Sequence, residues 1–365
     1  MKKTSFDKIF LGIIISLTII GAIMFTSASL GILAKNESKF YGVIFNQFVF
    51  GLLGGSIAFY FGMKINYKRW REYSLPIFIV AILFAMLVFV PHVGFAHGGA
   101  RRWINIFGIS LQPVEFLKIA FVIYFAAWLS WVKGKVRDPK WSIIPLCIFM
   151  GIIAVVLLKQ PDTKSVILMA TTSLAMLFVS GMPWKTILGI LIAALIGFSI
   201  LVAFKPYLRE RVNTFLHPSH DASGSSYQLQ QSLIAIGSGG LFGRGLGQSI
   251  QKFNYLPEPQ GDSIFAVVGE ELGFIGSTIL IALFVSFALR GYRIASHSPD
   301  SFSKLLVIGI ITMLTAQAFM NIASIIGVFP LTGVPLVFVS HGGTSLMIAL
   351  FACGVILNIS SFSKA

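Results

Sequence analysis

Ten long apolar runs follow one another along this chain, at about residues 10 to 33, 42 to 63, 75 to 91, 113 to 132, 142 to 158, 164 to 181, 184 to 204, 264 to 290, 304 to 328 and 336 to 359. Each is near the length a helix needs to cross a hydrocarbon layer. Hydrophobic residues are 56% of the sequence and charged residues 11%, which suits an integral membrane protein and excludes an ordinary soluble core. The expected fold is therefore all-α and polytopic, about ten transmembrane helices in one domain covering 1 to 365. One long extracytoplasmic segment, 205 to 263, lies between the seventh and eighth runs. The first run is longer than the apolar region of a cleaved leader and reads as an uncleaved anchor.

The formal charge of +15 sits in the gaps between apolar runs and not on a polar domain, so it reads as topology and not as a nucleic-acid surface. With the N-terminus inside, short inner loops and tails hold sixteen Lys and Arg against six in the outer ones. That bias places both termini in the cytoplasm and 205 to 263 outside. Cys147 and Cys353 lie within apolar runs, where packing explains them.

The outer segment has internal order. Ser225 and Gln228 suit a capping box opening a short amphipathic helix at the membrane surface, with Leu229, Leu233 and Ile236 on one face. "GGLFGRGLGQ" then surrounds Arg244 with glycines, either a phosphate-binding nest or an ordinary turn. Glu258 and Asp262 follow in "YLPEPQGD", where Pro257 and Pro259 forbid a regular helix, so Asp262 stands where loop becomes span. Capping is the plain role for such an Asp; a reactive carboxylate is the other.

Glu270 and Glu271 fall within or near hydrocarbon depth, where a charge costs roughly 2.5 to 3.5 kcal/mol and calls for a cation. Candidate cations are Arg101 and Arg102 of "GARRWINIFG", Lys118 of "QPVEFLK" and Lys159 of "KQPD". Glu115 and Lys118, three apart, also suit a pair with each other. The histidines, including His217, His220 and His341, make no metal-binding spacing.

A carboxylate beside arginines at the outer surface suits transfer from a lipid-linked sugar diphosphate. That leaving group is a stable anion, so one base plus cations would suffice, whereas an ordinary glycoside needs a second carboxyl as acid.

"GARRWI", "QPVEFLK", "KQPD", "YQLQQSLIAIGSGGLFGRGLG", "LPEPQGDSIFAVVGEELGFIGS" and "PLTGVPLVFVSHGGTSL", in this order, resemble the SEDS family (shape, elongation, division and sporulation). The resemblance implies a peptidoglycan glycosyltransferase that polymerises lipid II outside the cytoplasmic membrane with a class B penicillin-binding protein and other divisome membrane proteins. It implies Asp262 as the catalytic base and Arg102, Gln160 and Asp162 as site residues, with Glu115 and Lys118 as a buried pair. Arg101, Lys164, Arg244 and Glu258 are further candidates for substrate binding. No protein metal site is implied, and a divalent cation such as Mg²⁺ would arrive with substrate phosphates. "GARRW", "GSGGLFGRGLG" and "VVGEELGF" resemble the division branch, which works at the septum, whereas "PLTGVPL" resembles the elongation branch. The chain departs from the family pattern at Gln260, Gly261, Ser263, Val114, Lys164 and His341. A flippase for the same lipid and a non-catalytic scaffold are the alternatives from other functional classes.

Overall fold

A computed structural model describes residues 5–97, 100–106, 109–216 and 225–362. Lys2, Lys3 and Lys364 of the basic inner set, His217, His220 and the side chain of Ser225 lie outside the described residues.

In chain order the helices are α1 (Lys8–Leu33), α2 (Glu37–Lys64), α3 (Tyr67–Glu72), α4 (Ser74–Phe89), α5 (Pro113–Trp131), α6 (Ile143–Lys159) and α7 (Thr163–Val179). They continue with α8 (Trp184–Phe204), α9 (Pro206–Leu216), α10 (Ser225–Ser238), α11 (Gln251–Asn254), α12 (Ile264–Ser296), α13 (Ser301–Ile325) and α14 (Gly343–Ser360). Among the described residues, seven of them (α1, α2, α5, α8, α12, α13 and α14) are long and apolar enough to cross a membrane, and α4, α6 and α7 are shorter apolar helices. The chain is thus a polytopic helical membrane protein. α13 and α14 are buried over most of their length, while α8 buries no residue and forms an outer wall.

Close packing comes from small residues. A methyl at Gly62 would stand 2.6 Å from the Phe351 carbonyl, and one at Gly354 would stand 2.2 Å from that of Phe59. Only hydrogen there lets α2 and α14 bring their backbones together, as dispersion-driven packing in lipid demands. At the α12–α13 turn, Asp300 closes a capping box with Ser303 and accepts from the Tyr67 hydroxyl at 2.8 Å. Asp7 caps α1 and pairs with Arg290 at 2.9 Å, tying α1 to α12.

Three features differ from the sequence reading. First, the segment between α4 and α5 folds into a small antiparallel sheet, β1 (Gly94–His97), β2 (Ala100–Ile106) and β3 (Ile109–Leu111), in the order β1-β2-β3. Gly94 pairs with Ile104 and Ile104 with Leu111, so local ladders satisfy the backbone of a connector that no helix continues.

Second, the last span begins at Gly343, not near 336. Residues 326–342 are non-helical yet bury Leu331, Val334, Leu336, Val337, Phe338 and Val339. Pro330, Gly333 and Pro335 oppose helix there. Side chains satisfy the freed carbonyls: Asn321 donates to Val334 at 2.7 Å, Gln317 to Pro335 at 3.2 Å and Gln47 to Ser340 at 3.2 Å. Irregular backbone is tolerated here because protein surrounds it.

Third, α12 is broken at Gly273, whose φ of 66° and ψ of −164° leave the helix. The glycine-rich stretch after α10 packs into this break. Phe274 and Ile275 donate to the carbonyls of Gly240 and Leu241, and Arg244 and Gly245 donate to those of Glu270 and Glu271, all at 2.9–3.1 Å. A methyl at Gly243 would meet the Glu271 carbonyl at 2.2 Å, so the glycines serve a close backbone approach.

Candidate active site

Asp262 lies in a tight turn just before α12. Pro257 and Pro259 keep the preceding chain out of helix, and the Glu258 carbonyl accepts from the amides of Gly261 at 2.9 Å and Ser263 at 3.4 Å. α12 has no side-chain cap, so Asp262 is not used that way. Its Oδ1 accepts from Gln228 Nε2 at 3.1 Å, and the same amide donates to Ser263 Oγ at 2.9 Å. Asn321 Nδ2 holds the Asp262 carbonyl at 2.7 Å. Backbone and carboxylate are therefore both fixed, the first from α13 and the second from α10.

The other carboxylate oxygen faces Gly333. A methyl built there would stand 3.5 Å from Asp262 Oδ2, 3.8 Å from Arg211 Nη2 and 4.0 Å from Lys164 Nζ. One acid and two cations, drawn from the α12 turn, α9 and α7, thus converge on a point that only glycine leaves open. The cations are oriented by the buried non-helical segment. Arg211 Nη1 donates to the Thr332 carbonyl at 3.1 Å, and Lys164 Nζ donates to that of Gly333. Gly333 has φ of +64°, a backbone glycine adopts freely.

Arg102 enters from β2. Its Nε donates to the Gln160 carbonyl at 3.0 Å and its Nη2 to that of Pro161. Gln160 is buried and donates to the Ala85 carbonyl at 2.8 Å, which ties this connector to α4. Asp162 is fully buried, with Oδ2 accepting from Ser165 Oγ at 2.8 Å. α9 is fastened to α7 by a hydroxyl–hydroxyl contact between Tyr207 and Thr163.

Burial raises the Asp262 carboxyl above the usual carboxylate range; the Lys164 charge and the Gln228 hydrogen bond oppose the rise, and Glu258 adds to it. Burial also lowers Arg211, Arg102 adds to that, and Asp262 opposes it. A carboxylate raised toward neutrality beside clustered cations suits proton abstraction next to a developing anion.

The remaining sequence candidates are not among the groups that converge at Gly333. Arg101 is exposed and neighbours Arg102 on a strand, where successive side chains point to opposite faces. Glu258 accepts from Gln260 Nε2 at 3.2 Å in the same turn as Asp262. Glu115 and Lys118 pair at 2.9 Å, and Lys118 donates to Gln317 Oε1 at 2.8 Å; Gln317 in turn holds Pro335. This pair supports the segment that carries Gly333. Arg244 sits 3.7 Å from Glu270 at the α12 break.

The cations for Glu270 and Glu271 are Arg244 and Lys252, not the residues of the α4–α5 connector, of α5 or of "KQPD". Lys252 of α11 pairs with Glu271 at 2.6 Å, both fully buried, and also donates to Ser27 Oγ at 3.0 Å. Glu270 accepts from the Ile250 amide at 3.0 Å. α10 packs against α12 and does not lie free on the membrane surface. Gln228 spends its amide donor on Asp262 and Ser263.

Arg211, Gln228, Asn321 and Gly333 are the site residues that sequence reasoning missed. The signals available were an arginine within the polar helix "YLRERVNTFL" and a glutamine read only as a cap. Among the described residues no group of three or more His, Cys, Asp or Glu side chains could hold a metal ion.

The family model for FtsW, RodA and SpoVE, described as cell cycle protein, matches residues 7–365. The "Probable peptidoglycan glycosyltransferase FtsW" of Geobacter metallireducens is 38% identical over 98% of this chain and 96% of its own. "Stage V sporulation protein E" of Bacillus subtilis is 39% identical over 100% of this chain and 99% of its own. Among solved structures, a chain from "Structural coordination of polymerization and crosslinking by a peptidoglycan synthase complex" superposes with a TM-score of 0.80 at 25% identity, covering 97% of each chain. The rod shape determining protein RodA of Thermus thermophilus has the same fold, with a TM-score of 0.70 at 23% identity over 99% of this chain and 98% of its own. An aligned region that runs nearly end to end, together with the shared helical architecture, makes this chain a member of the FtsW, RodA and SpoVE family of membrane proteins.

Proposed function

We infer that this protein is a peptidoglycan glycosyltransferase that polymerises lipid II at the outer face of the cytoplasmic membrane. The observation that carries the reading is the convergence of Asp262, Lys164 and Arg211 on the open point at Gly333. Asp262 takes the proton of the acceptor hydroxyl as its oxygen attacks the anomeric carbon of the donor. The bond from that carbon to the diphosphate oxygen breaks, and its electron pair leaves with the lipid diphosphate. Inversion follows because attack and departure use opposite faces. Lys164 and Arg211, with Arg102 behind them, hold the developing negative charge in a site walled by protein, where such charges act strongly. A divalent cation bound through the phosphates would supply further charge neutralisation there.

The identity to relatives named FtsW and SpoVE supports placing this polymerase in septal or sporulation wall synthesis. The likeness to a chain of a peptidoglycan synthase complex supports a class B penicillin-binding protein as partner, and the distribution of Lys and Arg supports cytoplasmic termini.

The test is to purify the protein with its cognate class B penicillin-binding protein, supply labelled lipid II, and compare products from wild type and Asp262→Asn at matched complex yield. Polymer from wild type alone supports the reading. Equal polymer from both would overturn the role of Asp262, and none from either would favour a flippase or a scaffold.

A further inference from the structure

A second cleft, about 460 Å³, opens beside the Asp262 turn between that turn, α10 and the α1–α2 connection. Its walls include Lys35, Lys39, Tyr227, Tyr255, Glu258 and Gln260. The volume falls within the ~300–1,000 Å³ of ligand sites.

Two elements serve both this cleft and the Asp262 site. On α10, Tyr227 lines the cleft while its neighbour Gln228 holds the Asp262 carboxylate. In the turn, Glu258 and Gln260 line the cleft, and Asp262 follows two residues later. A ligand in the cleft therefore lies against the same turn and helix that orient the carboxylate.

The lining has a distinct chemistry. Lys35 and Lys39 are exposed and make no ion pair among the described residues. Lys252 at the cleft wall is neutralised by Glu271, so the free positive charge belongs to the two rim lysines. Tyr255 is half exposed and Tyr227 partly so. Gln260 is 8% exposed, and its buried Oε1 has no hydrogen-bond partner among the described residues. A buried acceptor without a donor marks a place where a ligand N–H or O–H fits. Cations for carboxylates, aromatic faces for sugar rings and an amide acceptor for a hydroxyl or amide proton together describe a carboxylate-bearing glycan.

We propose that this cleft holds the peptide-bearing glycan strand next to the transfer site, separately from the cation cluster that takes the diphosphate. The proposal rests on the polymerase reading and names where one of its two substrates sits. Holding the strand through successive transfers makes synthesis processive.

The experiment measures binding of soluble, lipid-free glycan strands with free stem-peptide carboxylates to the full-length protein in nanodiscs. Three variants are compared with wild type: the double substitution Lys35→Glu with Lys39→Glu, Tyr255→Ala, and Asp262→Asn. The expected result is at least tenfold weaker binding for the first two, with lipid II products shifted to short oligomers. Asp262→Asn retains strand binding while making no polymer. Wild type that fails to bind the strand, or cleft variants that bind it like wild type, would overturn the proposal. So would a defect that follows only the anionic lipid content of the nanodisc, which would make the lysines membrane anchors. Polymer formed by Asp262→Asn would instead overturn the base assignment, while the binding comparison stands apart from it.

Discussion

Gln228 Nε2 and Asp262 Oδ1 meet at 3.1 Å although 34 residues separate them, and this contact aims the carboxylate so that Oδ2 faces Lys164 and Arg211 across Gly333. A hydrogen bond to a charged group is worth about 1.5 to 3 kcal/mol, so losing it slows transfer by roughly tenfold or more. Gln228→Ala also removes an interaction that favours the carboxylate. Its pH–rate profile is expected to show the acidic limb at higher pH than wild type, measured as initial rates on labelled lipid II.

Asp262→Asn removes the proposed base and is expected to cost on the order of a hundredfold or more in rate. The wild-type acidic limb should lie above the ordinary carboxylate range, because burial raises this group. For stability, the folded protein binds this proton more tightly than the unfolded chain does. Ionisation therefore weakens the fold as pH rises from the ordinary carboxylate value through the raised one. At neutral pH the Asn variant, free of that penalty, should melt at or above the wild-type temperature. Thermal unfolding in detergent at several pH values checks the sign, and a large loss on substitution at neutral pH would contradict it.

Gly333→Ala places a methyl 3.5 Å from Asp262 Oδ2 and 3.8 and 4.0 Å from Arg211 and Lys164, on a backbone with φ of +64°. The left-handed backbone alone costs about 1–2 kcal/mol for a residue with a Cβ. The expected outcome is a modest drop in melting temperature with a disproportionate loss of polymerisation. Equal activity in the Ala variant would show that substrate does not enter that space.

Lys252→Met leaves Glu271 buried beside Ser27 without its cation. Breaking one side of a buried pair costs about 3 to 5 kcal/mol, so folded yield should fall sharply. Adding Glu271→Leu removes the stranded charge and should recover much of the melting temperature. A double variant no more stable than Lys252→Met would refute that account.

Much of the architecture was legible in the sequence because it follows from composition over a window. Apolar runs of span length can satisfy their backbones in lipid only as helices, so the bundle and the placement of Asp262 before α12 could be read directly. The same averaging misled at 336–342. An apolar stretch buried in protein has the hydropathy of one buried in lipid, and only the tertiary setting shows that this stretch is not helix: Gln47 holds the Ser340 carbonyl, and Asn321 and Gln317 hold those of Val334 and Pro335 just before it.

The sequence by itself determined a polytopic helical protein with a carboxylate at the head of a span and two acids needing cations. Tertiary structure alone decided which cations those were, because Lys252 comes within reach of Glu271 only when α11 packs against α1 in the folded bundle. It also decided the site. Arg211, Lys164, Gln228 and Gly333 are scattered over the chain, and nothing in local spacing encodes their approach to Asp262. Helix packing brings them together, and the buried carbonyls of Thr332 and Gly333 turn the two cations toward the acid.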